Sequence, residues 1–171
     1  MKIGSVLENQ KIEKRISITP EIVKKYTSLG FEVFLSENYG HHIGINDDEY
    51  KKLGVKFSRD DKEILSLSDI IVQLGMLPSD KASLIKENQT LIGVLNPYDN
   101  KDKLEILVKK KINLFSLELL PRITRAQSMD ILSSQANLAG YKAVIESFAN
   151  FEKAIPMMMT CLLYTSPSPR D

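Results

Sequence analysis

Apolar positions in this chain gather into short runs: 2–7 (KIGSVL), 31–37 (FEVFLSE), 69–76 (DIIVQLGM), 90–96 (TLIGVLN) and 112–119 (INLFSLEL). Each is shorter than an ordinary helix and rich in Ile, Val, Leu or Phe, so each reads as a β-strand. Several are continuous rather than alternating, which is the pattern of strands covered on both faces. Helical segments with legible ends stand between them. In SITPEIVKKYTSLG, Thr19 sits at the N-cap, Pro20 at the first helical position, Glu21 in the first turn and Gly30 at the stop. NDDEYKKLG (46–54) repeats the scheme, starting at Asn46 or Asp47 and stopping at Gly54, while 79–88 and 100–111 fill the later crossovers.

Strands alternating with helices predict a doubly wound α/β fold, a mostly parallel sheet of the Rossmann or flavodoxin-like kind with helices on both faces. Ligands on such sheets bind beyond the carboxyl ends of the strands. The expected division is an N-terminal domain over 1–125 and a linking segment over 126–150, helical from about 127 to 148. Residues 151–160 would open a further domain. The last stretch, CLLYTSPSPRD (161–171), changes to Ser-Pro repeats that support no core. We read it as a foreign tail, with the native chain expected to continue past Thr160.

Composition narrows the field. The 171 residues are 43% hydrophobic, enough for a domain with a sizeable core. Lys and Arg (23) nearly cancel Asp and Glu (22), so the basic excess of a nucleic-acid binder is missing. Lys109, Lys110 and Lys111 read as a solvated helix end. The single cysteine, Cys161, allows no internal disulfide and suits a reducing compartment. No window holds the 18 apolar residues of a spanning helix. His41 and His42 are adjacent, point apart on an extended chain and lack a completing ligand, so no metal site is expected.

The stretch that resists a scaffold reading is PRITRAQSMDILSSQANLAGYKA (121–143). On a helix, Asp130, Ser133, Ser134, Asn137 and Tyr141 form one polar stripe, while Ala136, Ala139, Gly140 and Ala143 form a second stripe of small residues. Uncharged polar groups of this kind are used against specific partners, or else cap the helix themselves through Ser128 or Asp130. Arg122 and Arg125 beside a helix start favour a ligand carrying acceptor or anionic groups.

LPRITRAQSMDILSSQANLAGYKAVIE, together with AIPMMMT and KRISITPEIVKKYTSLGFEVFLSENYG, resembles the NAD(H)-binding component, the alpha subunit or domain I, of proton-translocating NAD(P)+ transhydrogenases. The resemblance spans residues 1–160. It implies that Arg122, Ile123 and Thr124 form the turn at the nicotinamide end of NAD(H), that Gln127 helps bring two nucleotides together, and that Asp130 and Ser133 hold the carboxamide and ribose region. It also implies hydride transfer to NADP(H) on a partner chain, the NADP(H)-binding domain of a beta subunit. Proton translocation would belong to transmembrane subunits, in a homodimeric complex peripheral to the cytoplasmic face of the bacterial inner membrane. The dinucleotide fingerprint G-x-G-x-x-G is absent from 1–160, and in that family it follows in the next domain.

Two alternatives compete. Alanine dehydrogenase shares the N-terminal fold and anchors a carboxylate at the place of Arg15. It also needs a lysine and a histidine where this chain has Gln73 and Asn96, and neither of these can donate a proton near neutral pH. A non-catalytic flavodoxin-like module of the receiver kind would need clustered aspartates at strand ends, where the sequence offers Glu8 and Gly75-Met76.

Overall fold

The computed structural model describes residues 1–121 and 123–154. Its centre is a six-stranded, all-parallel sheet built from β1 (Lys2–Ser5), β2 (Glu32–Ser36), β3 (Lys56–Ser58), β4 (Ile70–Val72), β5 (Thr90–Gly93) and β6 (Asn113–Ser116), in the order β3-β2-β1-β4-β5-β6. The crossovers carry α1 (Pro20–Ser28), α2 (Asp47–Lys51), α3 (Asp61–Leu67), α4 (Ser79–Ala82) and α5 (Lys101–Lys109). This strand order is that of dinucleotide-binding doubly wound sheets, and the winding reverses between β1 and β4.

Alternation along the strands explains why both faces are covered. Ile3, Val33 and Leu35 point into one apolar cluster with Val23 of α1 and Tyr50 of α2. Phe34 and Ile71 point the opposite way, into a second cluster with Ile64 and Leu65 of α3 and Leu107 of α5. Neighbouring side chains on a strand face opposite sides, so one strand serves two cores. Fully burying a side chain such as Leu35 or Ile71 contributes about 1.5–3 kcal/mol.

The helix punctuation works as the sequence implies. Thr19 holds extended backbone before Pro20, although its side chain makes no capping bond, and Gly30 takes a left-handed φ of 81° after α1. Gly93 answers a different need. A Cβ there would lie 2.5 Å from the carbonyl oxygen of Gln73, so only glycine lets β5 pass β4 at this level.

Three expectations require correction. A sixth strand, β3, and the helix α3 occupy 56–67, where the apolar pattern marks no element. β6 stops at Ser116, and Leu117–Leu119 form a 3-10 turn instead of prolonging the strand. Lys110 is more than a solvated helix end, because its ammonium donates to the carbonyls of Ser83 and Ile85 and ties α5 to the segment after α4.

The chain divides into a compact unit, Met1–Ile131, and a second that begins at Leu132. In the second, α6 (Ile131–Ala149) is exposed at every residue from Leu132 onward, and Lys142 pairs with Glu146 one turn away. Ser133 lies in its first turn. No helix of the described residues is long and apolar enough to cross a membrane.

Candidate functional site

Strands β1, β4 and β5 deliver their carboxyl ends to one rim, and a cavity of about 960 Å³ opens there. Its floor is hydrogen-bonded rather than apolar. Glu8 leaves β1 and turns its carboxylate onto the start of the loop after β4, where Oε1 accepts from the backbone N–H of Leu74 at 2.7 Å and of Gly75 at 3.3 Å. Burial pushes the Glu8 carboxyl above its ordinary pKa, and the two amides offset part of that rise. Beneath the rim Gln73 is 2% exposed, with both ends of its amide in use. Oε1 accepts from Ser5 Oγ at 2.7 Å, and Nε2 donates to the Val6 carbonyl at 3.2 Å. Tyr39 Oη completes the cluster at 2.7 Å from both Ser5 and Ser17, and burial raises its pKa.

The cations on the walls are paired. Arg15 donates through Nε and a terminal nitrogen to the two oxygens of Glu13, at 2.8 and 2.6 Å, and that fork holds the Glu13 carboxyl below its usual range. Lys81 meets Asp61 at 2.7 Å, and Asp61 also accepts from Ser36, whose oxygen receives the Leu7 N–H. Gln73 and Asn96 both line the cavity, and neither side chain titrates.

A second cavity, of about 300 Å³, lies on the segment after β6 and is lined by Ile123, Thr124, Gln127 and Asp130. Four of the residues singled out from the sequence therefore meet around one space. Arg122 lies outside the described residues, and Ser133 belongs to the second unit. The local backbone differs from the expected helix. Thr124–Met129 form a 3-10 helix, Asp130 is extended at φ −74° and ψ 90°, and the α-helix begins only at Ile131. Asp130 thus precedes the helix rather than sharing a stripe on it. Ala126, at 6% exposure, anchors this short helix, which leaves Thr124 and Gln127 outward.

The sequence pattern does not single out Glu8, Ser36, the Asp61–Lys81 pair or Glu118 as site components. Glu118 does carry a signal, since a lone carboxylate interrupts the apolar run 112–119 near its carboxyl end. Among the described residues no group of three or more His, Cys, Asp or Glu side chains is placed to hold a metal ion. His42 serves a local purpose: its ring bridges Gln10 and the Lys14 carbonyl, bracing the loop that carries Glu13 and Arg15.

This architecture has counterparts among known proteins. Residues 4–139 match the family described as alanine dehydrogenase/PNT, N-terminal domain. The chain is 44% identical over 165 residues to the first polypeptide of the NAD(P) transhydrogenase alpha subunit of Rhodospirillum rubrum, covering 94% of this chain and 43% of that protein. The protein of the same name from Rickettsia prowazekii is 41% identical over 166 residues, with the same coverage. The chain spans less than half the length of these curated relatives. Among solved structures, a transhydrogenase from Sinorhizobium meliloti superposes with a TM-score of 0.85 at 36% identity, covering 94% of this chain and 48% of that one. An L-alanine dehydrogenase shares the fold, with a TM-score of 0.65 at 22% identity over 69% of this chain and 32% of that one.

Proposed function

The chain belongs to the alanine dehydrogenase/PNT N-terminal domain family, and we propose that it is the nicotinamide-facing portion of the NAD(H)-binding subunit of a proton-translocating transhydrogenase. The observation that carries this reading is the convergence of Ile123, Thr124, Gln127 and Asp130 on one small cavity, within a segment closely related to transhydrogenase alpha subunits. These side chains fit the nicotinamide half of a dinucleotide. Its carboxamide has a donor and an acceptor, its ribose has hydroxyls, and Thr124, Gln127 and Asp130 offer complementary groups.

When bound, NAD(H) supplies or takes up the hydride at its nicotinamide ring. The chain's contribution is orientation. Thr124 and Gln127 hold the ring edge, Asp130 holds a hydroxyl or amide, and the apolar side of Ile123 keeps water from the ring. Hydride transfer between two cofactors calls for near-contact placement and a dry site rather than proton transfer, which suits residues of this kind. NADP(H) would sit on a partner chain, and proton conduction on membrane-spanning subunits, with the assembly dimeric and peripheral on the cytoplasmic face. Alanine formation finds no proton donor at Gln73 or Asn96, and Gln73 is already committed to Ser5 and Val6.

The test uses the full-length subunit with its NADP(H)-binding partner. Arg122→Ala and Asp130→Asn should leave the melting temperature nearly unchanged and slow stopped-flow hydride transfer by roughly ten-fold or more, as lost orientation predicts. Transfer at the parent rate in both variants would reduce the segment to a helix start that caps itself.

A further inference from the structure

Glu118 stands between the two cavities in the chain. It lies in the 3-10 turn Leu117–Leu119 that leaves β6, just before the segment lined up for the nucleotide. Its Oε1 accepts the backbone N–H of Asn96 at 2.5 Å. Asn96 borders the larger cavity and has a left-handed φ of 44°. A non-glycine residue held there persists only where its surroundings over-determine it, and a charge-assisted bond to the peptide N–H is such a restraint. The second oxygen, Oε2, is buried with no hydrogen-bond partner among the described residues, as is Ser116 Oγ beside it in sequence. Leaving a buried carboxylate oxygen unpaired is costly, so a residue placed only for stability would be better apolar. The carboxylate is kept for the bond it makes.

We propose that Glu118 is a positioning residue: it fixes the turn at Asn96 to the start of the 120–130 segment and so sets the orientation in which Thr124, Gln127 and Asp130 meet the nucleotide. The inference rests on the nucleotide-binding role proposed above. What matters on this account is the reach of the acceptor, not its charge alone. Aspartate keeps the charge but falls one methylene short, while glutamine keeps the reach and a neutral acceptor.

The experiment compares Glu118→Asp, Glu118→Gln and Glu118→Ala in the full-length subunit with its NADP(H)-binding partner. Val23→Ala, a core change remote from the cavities, controls for lost stability. Readouts are single-turnover hydride transfer at saturating nucleotide and hydrogen exchange across 120–130. Glu118→Asp and Glu118→Ala should lose roughly ten-fold in transfer and exchange faster in that segment. Glu118→Gln should retain most of the parent rate, and Val23→Ala should melt earlier yet transfer normally. If Glu118→Ala does not fold, the Asp and Gln variants decide. Parent-like transfer in Glu118→Asp, or a Gln variant no better than Asp, overturns the proposal. Failure of the parent to bind NADH would instead sink the nucleotide-binding role, and the exchange data would still judge the anchor.

Discussion

Ser5 gives its hydroxyl hydrogen to Gln73 Oε1 at 2.7 Å, joining β1 to the residue just past β4 at the point where the winding of the sheet reverses. Both side chains are buried, and Tyr39 and Ser17 share the same hydroxyl. Ser5→Ala should therefore strand a buried acceptor and lower stability by about 1–3 kcal/mol. Removing both partners, in Ser5→Ala with Gln73→Met, should cost less than the sum of the single changes. Urea unfolding of the three variants decides the matter, and strict additivity would mean that the two groups do not act as a pair.

Gly93 offers a sharper steric test. In Gly93→Ala the new methyl would meet the Gln73 backbone carbonyl, which unlike a flexible side chain has no rotamer to relieve it. The expected cost is about 1–3 kcal/mol or more, as for other overpacked sites. A melting temperature equal to the parent's would show that β4 and β5 are spaced more loosely than described.

Glu8 and Glu13 should leave opposite marks on the pH dependence of stability. The folded pKa of Glu8 is raised, so the fold binds a proton more tightly than the unfolded chain does. The stability this contributes is full below the ordinary glutamate value and is lost as pH rises through the raised one. The folded pKa of Glu13 is lowered, so its contribution is present above the ordinary value and fades as pH falls through the depressed one. Glu8→Gln, which keeps an acceptor for Leu74 and Gly75, should flatten the decline seen on the alkaline side of the ordinary glutamate value. Denaturant melts at closely spaced pH would reveal an unchanged slope if Glu8 were solvated.

The 171-residue chain should bind NADH roughly ten-fold or more weakly than the full-length subunit. Contacts confined to one half of a dinucleotide give about 1–3 kcal/mol each and must offset the cost of immobilising the whole molecule. A fluorescence titration yielding equal affinities would place the pyrophosphate on residues of this chain.

The architecture is legible wherever strong local signals coincide with burial. Pro20 and Gly30 bracket α1 because both act through backbone geometry, which needs no tertiary context. The runs at 69–76 and 90–96 contain β4 and β5 because strands covered on both faces must be apolar throughout. β3 is hidden because its three residues, Lys56, Phe57 and Ser58, form an edge strand with one apolar side chain. Spacing alone puts Asp130 on a helix. It cannot distinguish the i→i+3 bonding that precedes Asp130 from the α-helix that follows it. Glu8 and Glu118 act through backbone amides distant in sequence, at Leu74 and at Asn96, and no periodicity encodes such partners.

The strand order also dictates a timetable for synthesis. β1 is made first yet lies inside the sheet, with β2 on one side and β4 on the other. Its first edge is satisfied once residue 36 has emerged, but its second must wait for residue 70. At about 5–20 residues per second that interval is roughly 2–7 s, during which Ile3 and Gly4 present unpaired peptide groups. Ribosome-arrested chains exposing β1 to β3 alone should be clipped by protease near β1, and chains exposing β4 as well should resist. For those seconds a nascent sheet has an open flank in its interior, where a neighbouring chain on the same message could add itself as the missing strand.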